Sequence, residues 1–238
     1  AVTAVLRYKL NNGFSVHGGL WGQEISGTVV SSPGSLQAES GYDFGYLLGA
    51  AYERPDIALR IAATYNSAID NELSGTEASA ASGGIPVAID DFTVTTPESI
   101  NLEFQSGVAQ DTLVFGSIRH AMWDGFNLTA NGNEYVNFSG NTATSSVGVG
   151  CRLSDELSVF ATLGYEDKGV TPSTTALAPT TGTRSIGLGA TYTMGDMEIT
   201  VGVSYVKLGD QTVNSLAGPV EFADSKAIGV GVRIGYNF

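Results

Sequence analysis

The stretch Lys226-Ala-Ile-Gly-Val-Gly-Val-Arg-Ile-Gly-Tyr-Asn-Phe238 decides the fold. Side chains alternate with period two along an extended strand. Ile228, Val230, Val232, Ile234, Tyr236 and Phe238 therefore share one face. Gly229, Gly231, Arg233, Gly235 and Asn237 share the other. One face is wholly apolar, with aromatic residues at its end, and the opposite face is small or polar. That is the pattern of a strand crossing a bilayer in a barrel, where an aromatic girdle marks the membrane–water boundary. A soluble sandwich strand would need a second sheet to cover the same face.

The pattern repeats along the chain. Alternating segments fall at about 3–10, 14–25, 42–53, 57–69, 98–109, 112–123, 144–153, 157–166, 184–194, 197–207 and 226–238. Each is about the length a tilted transmembrane strand requires. The sequence thus predicts an all-β chain, 1–238, forming a single transmembrane antiparallel up-and-down β-barrel domain, with about eleven strands in this chain. Five connections are tight and carry Asn, Asp, Gly or Pro: Leu10–Gly13, Glu53–Asp56, Ala109–Thr112, Ser154–Glu156 and Met194–Met197. The other five, 26–41, 70–97, 124–143, 167–183 and 208–225, are long and polar and read as solvated loops. Short and long connections alternate, as periplasmic turns and extracellular loops do in bacterial barrels.

This alternation sends both the first and the last strand toward the periplasmic rim, so the strand number is odd. Bacterial single-chain barrels close with an even number. Strands 3–10 and 226–238 are therefore not expected to pair with each other, and an odd number of further strands is expected upstream. No signal peptide is present, which fits a mature or trimmed form.

Composition sets the partners. The chain has 238 residues, 31 of them Gly, with 15% charged residues and a mean hydropathy of +0.09. No run reaches the ~18 apolar residues of a membrane helix. A net charge of −13 argues against nucleic acid or anionic lipid as a partner. The acids Asp56, Asp70, Glu72, Asp90, Asp91, Asp155, Asp196 and Asp210 fall in turns and loops. The lone Cys151 permits no internal disulfide and shares an outward face with Val147, Val149 and Leu153. His17 and His120 lie on different strands, and no nucleophile motif or metal-ligand spacing is present. The sequence therefore predicts neither catalytic residues, nor a metal, nor a cofactor.

The lumen should carry the function. Arg7, Lys9, Arg60, Arg119, Arg152 and Arg233 fall inward together with Glu53, Glu103, Glu166 and Glu198. These could form ion pairs that brace the wall or a ring that selects substrate. Strand 112–123 is ambiguous, since Leu113 and Phe115 share a face with Arg119 while Val114 and Ile118 share one with His120. Trp21, Phe115 and Phe160 also fall inward, and inward aromatics suit an apolar solute better than a water-filled pore. Trp21, Arg60, Phe115, Arg119, Arg152 and Phe160 are the candidate substrate-binding residues.

Tyr8-Lys-Leu-Asn-Asn12 followed by Phe14-Ser15 is similar to the turn before the fifth strand of the outer-membrane long-chain fatty-acid and aromatic-hydrocarbon transporters of the FadL/TodX/OMPP1 type. Gly41-Tyr-Asp-Phe-Gly45 through Ala58-Leu-Arg-Ile-Ala-Ala-Thr-Tyr-Asn-Ser67 resembles the next hairpin. Thr96-Pro-Glu-Ser99 through Trp123-Asp-Gly-Phe126 resembles a following pair of strands. Val201-Gly-Val-Ser-Tyr205 with the Phe238 tail resembles the last two. The terminal phenylalanine also resembles the assembly signal of outer-membrane barrels.

The resemblance implies a fourteen-stranded barrel with an N-terminal hatch, of which this chain covers strands four to fourteen without the hatch. It also implies a bacterial outer-membrane location, a monomeric barrel in contact with outer-membrane lipid, and passive uptake of a hydrophobic small-molecule ligand; a detergent or lipid could fill the same site. Two other classes stay open: a porin-like diffusion channel for polar solutes, and an adhesin or phage receptor that uses loops such as 127–142.

Overall fold

The computed structural model describes residues 1–31, 34–138, 140–168, 181–215 and 218–236. Its first strands are β1 (Val2–Lys9), β2 (Phe14–Gln23), β3 (Ser26–Ser31), β4 (Gly34–Ser40), β5 (Asp43–Arg54), β6 (Leu59–Asn66) and β7 (Ile69–Ser79). They are followed by β8 (Val87–Thr96), β9 (Ser99–Ala109), β10 (Thr112–Ala121), β11 (Asn127–Ala130), β12 (Asn133–Asn137) and β13 (Thr142–Arg152). The last are β14 (Leu157–Glu166), β15 (Thr183–Met194), β16 (Met197–Leu208), β17 (Gln211–Ser215), β18 (Gly218–Phe222) and β19 (Lys226–Tyr236).

Eleven of them form one antiparallel sheet in the order β1-β2-β5-β6-β9-β10-β13-β14-β15-β16-β19. These are the eleven segments that alternation marks out. Among the described residues β1 and β19 do not pair with each other, so the sheet has two open edges. Phe238, which ends the apolar face in the sequence, lies outside the described residues.

Register fixes the faces, because directly opposed residues project to the same side. Across β15, β16 and β19 the outward rows are Ile186–Tyr205–Ile228, Leu188–Val203–Val230, Ala190–Val201–Val232, Tyr192–Ile199–Ile234 and Met194–Met197–Tyr236. No charge interrupts them, consistent with the ~2–4 kcal/mol that a cation costs at the bilayer midplane. The ambiguity in β10 is also resolved. Phe115 and Arg119 oppose Gln105 and Asn101 and so face the lumen, while Ile118 and His120 oppose Leu102 and Ile100 and face outward.

The tight connections use left-handed backbone where the sequence supplies residues that tolerate it. Asn12 and Gly13 turn with φ of 67° and 83°, and Asp111 turns with φ of 56°. At Gly13 a Cβ would stand 2.3 Å from the Glu53 carbonyl oxygen, so glycine is required there for space as well as for φ.

The long connections differ from the sequence expectation. Segments 26–41, 70–97, 124–143 and 208–225 are hairpins: β3–β4, β7–β8, β11–β12 and β17–β18. The first two merge through β4–β7 pairing into a four-stranded sheet. That sheet and β11–β12 enclose a small core of Leu36, Ala130, Tyr135 and Val136, flanked by Val29, Ile89, Phe92, Phe126, Leu128 and Phe138. Asp70, Glu72, Asp90 and Asp91 are indeed solvent-exposed, but they lie on strands. A two-stranded ribbon in water needs only one thin apolar stripe, so its polar composition hid its regular structure. Most of 167–183 lies outside the described residues.

Candidate functional site on the lumen wall

The inner face divides into a charged zone and an aromatic zone. The charged zone spans β1 to β9. Arg7 Nη2 lies 2.7 Å from Glu53 Oε1, and its Nε donates to Ser15 Oγ at 3.0 Å. Arg60 reaches the same Glu53 oxygen at 3.5 Å and donates to Glu103 Oε2 at 3.0 Å. A ladder Arg7–Glu53–Arg60–Glu103 thus crosses five neighbouring strands with its charges balanced. Nearby, His17 Nε2 lies 2.9 Å from Thr64 Oγ1 across the intervening β5. That reach exists because Gly49 lies between them, where a Cβ would stand 2.3 Å from the same nitrogen.

The aromatic zone lies on β10, β13, β14 and β15. Phe115 opposes Gly148, and Phe160 opposes Gly150 on one side and Gly189 on the other. Both rings lie down over glycines: a Cβ on Gly148 would stand 2.6 Å from Phe115 Cζ. The glycines leave open space beside the rings. A cavity of about 640 Å³ is lined there by Leu113, Phe115, Phe160, Thr162, Gly107 and Ala58, with Asp111 and Arg152 at the turn-side end. This volume falls within the range of small-molecule sites. Arg152 is bound twice by Asp111 Oδ1, from Nε at 2.8 Å and Nη2 at 2.5 Å, so its charge is neutralised locally.

The six residues singled out from the sequence all face the lumen but do not converge on one place. Phe115, Phe160 and Arg152 share the cavity. Arg60 belongs to the ion-pair ladder. Arg119 lies toward the loop end of β10, with no ion pair among the described residues. Trp21 packs beside Gly45, with its indole N–H buried and without a hydrogen-bond partner among the described residues. Leu113, Thr162 and Ala58 were not foreseen. The glycines facing the rings were the available signal for them, and reading that signal required the register of three strands. Among the described residues no group of His, Cys, Asp or Glu could hold a metal ion.

An antiparallel wall with an apolar exterior, a short-turn rim, a long-hairpin rim and an aromatic cavity on its inner face is the architecture of an outer-membrane β-barrel. The chain belongs to the outer membrane protein transport protein family (OMPP1/FadL/TodX), whose model matches residues 2–238. Among solved structures it is similar to a FadL homologue of Pseudomonas aeruginosa, at 18% identity and a TM-score of 0.68, covering 98% of this chain and 65% of that one. It is also similar to the toluene transporter TodX of Pseudomonas putida (13%, TM-score 0.55, 99% and 68%). A third is the toluene transporter TbuX of Ralstonia pickettii (12%, TM-score 0.54, 98% and 66%). The chain thus spans about two thirds of the length of these proteins. No curated protein sequence matches it.

Proposed function

We propose that the protein mediates passive uptake of hydrophobic small molecules across the outer membrane. The single observation that carries this reading is the cavity between Phe115 and Phe160, whose one cation is already paired. A hydrated polar solute gains little from such a wall, whereas apolar surface gains about 25 cal/mol for every Å² it buries. The family supports the same direction, and the solved toluene transporters share the fold. Long-chain fatty acids and aromatic hydrocarbons both fit the chemistry.

The test is uptake of labelled toluene and of a labelled long-chain fatty acid by cells lacking their own hydrophobe channel and expressing the full-length protein. Phe115→Ala and Phe160→Ala should each lower uptake of at least one of the two by several fold, with normal barrel assembly. Unchanged uptake of both in the double variant, together with high conductance to sugars, would establish the polar-pore reading instead.

A further inference from the structure

The outward face of the wall carries one row that breaks the apolar pattern. Tyr165 of β14 opposes Arg184 of β15, Arg184 opposes Lys207 of β16, and Lys207 opposes Lys226 of β19. Three cations therefore stand side by side on adjacent strands, within about 10 Å at a strand spacing of ~4.8 Å. All three are exposed. Like charges directly opposed across a sheet are destabilising, and this chain has only 11 Lys and Arg against 24 Asp and Glu. Three of those few cations in one row, in an acidic protein, require a countercharge.

No described residue provides it. None of the three makes an ion pair among the described residues, and the segment 169–180 contains no acidic residue. Asp167 and Asp224, the acids two residues from Tyr165 and from Lys226, make no ion pair with the row among the described residues. Glu166 accepts from Thr144 Oγ1 at 2.8 Å and opposes Thr144 and Thr183 on the lumen face. Asp210 accepts from the Asp224 backbone N–H at 3.0 Å. Beside the row opens a cleft of about 420 Å³ shared by Tyr165, Lys168, Arg184 and Lys207, with Glu166 and Asp210 also on its wall.

Its height identifies the countercharge. The row sits at the loop ends of its strands, one row beyond Ile186–Tyr205–Ile228. From Ile186 to Met194 the apolar rows continue for about 27 Å of strand, or about 20 Å of membrane thickness at a tilt near 40°. The cations thus stand at headgroup level on the side of the long hairpins, which is the outer leaflet. They face lipid rather than the lumen. The characteristic lipid of that leaflet is a glycolipid with a phosphorylated sugar backbone. We infer that Arg184, Lys207 and Lys226, with Lys168 at the cleft, form a binding site for the phosphates of an outer-leaflet glycolipid of the lipid A type. Arg and Lys at the ends of apolar strands donate to phosphate oxygens, while Tyr205 and Ile228 below contact the first acyl carbons.

The test uses the full-length protein folded in uncharged detergent, with bound lipid titrated by native mass spectrometry. Wild type should retain bisphosphoryl lipid A at least tenfold more tightly than the dephosphorylated lipid with the same acyl chains. It should also retain it more tightly than phosphatidylglycerol, and inorganic phosphate should compete only at far higher concentration. The R184Q/K207Q/K226Q variant should lose at least tenfold in affinity, and Lys207→Gln alone at least threefold. Arg54→Gln, at the opposite rim, should change nothing. Heat-modifiable gel migration checks that each variant is folded. Removing the row relieves repulsion, so without lipid A the triple variant should be at least as heat-resistant as wild type. Binding by the triple variant within twofold of wild type overturns the site. Equal retention of dephosphorylated lipid A makes it an acyl contact only, equal retention of phosphatidylglycerol a general anionic surface, and equally tight inorganic phosphate a free-anion site; each of these also overturns it.

Discussion

The ring of Phe160 lies across Gly189 on the neighbouring strand, so closely that a Cβ at Gly189 would stand 2.3 Å from Cζ. The absent side chain lets the ring lie against the wall and keeps the cavity beside it open. Gly189→Val is expected to lift the ring into that space. Overpacking of this kind costs about 1–3 kcal/mol, which a multi-stranded barrel tolerates. Uptake of hydrophobic solute should fall by several fold while assembly into the outer membrane stays normal. Uptake equal to wild type would mean that the solute does not pass between Phe115 and Phe160.

The wall was legible in the sequence because lipid enforces strict rules on it. Ile199, Val201, Val203 and Tyr205 alternate with Glu198, Thr200, Gly202 and Ser204, and any slip of one residue would place Glu198 in hydrocarbon. The hairpins obey no such rule. Glu77 reads as one more polar loop residue, yet it is fully buried among the donors of β11–β12. The site was half legible. Period two alone places Phe115 and Phe160 inward, but their meeting depends on how β10, β13 and β14 are offset. That offset is set by the long connection that carries β11–β12 and by the turn at Ser154–Glu156, and no single strand records it.

The ladder Arg7–Glu53–Arg60–Glu103 leads to a weak, salt-dependent effect. Its side chains are between 29% and 57% exposed, so each pair resembles a surface ion pair. Such pairs contribute about 0–1 kcal/mol. Glu53→Gln should therefore lower stability in urea titrations of the folded barrel only slightly at low salt. The difference should vanish near 1 M salt, where the Debye length is ~3 Å. A loss of several kcal/mol that persists at high salt would show that the ladder is a desolvated core and not a wetted wall.

Glu77 makes the outer hairpins sensitive to acid. Its carboxylate accepts from Tyr135 Oη at 2.6 Å, Asn133 Nδ2 at 2.6 Å and Asn131 Nδ2 at 2.8 Å. The Tyr135 bond foremost, then Asn131, hold its pKa below the usual glutamate value, against the opposing effect of burial. Burial, followed by the same carboxylate, pushes the Tyr135 phenol above its ordinary range. A carboxyl whose pKa is lower folded than unfolded adds stability above its unfolded value, near 4.5, and that stability is lost as pH falls through the folded value. For the raised phenol the contribution is complete below about 10 and lost in alkali. Hydrogen exchange in 127–137 should thus stay slow at neutral pH and, once corrected for intrinsic rates, accelerate as pH falls below 4.5. Glu77→Gln should weaken docking of the hairpin by about 1–3 kcal/mol and remove the acid-side dependence. A variant that keeps that dependence would assign it to another group.

Of the three lumen arginines that could receive a fatty-acid carboxylate, two are already occupied. Arg60 is held by Glu53 and Glu103, and Arg152 by Asp111. A carboxylate approaching either would have to displace one already in place. Arg119 has no ion pair among the described residues and lies on the lumen face toward the hairpin rim. A charge-assisted contact in a partly wetted lumen is worth about 1 kcal/mol, or roughly fivefold. Arg119→Gln should accordingly slow uptake of a long-chain fatty acid by about that factor and leave toluene uptake unchanged. Arg60→Gln should not discriminate between the two. Equal loss for both solutes in Arg119→Gln would indicate a structural role at the rim, and no loss for either would place the carboxylate path elsewhere in the lumen.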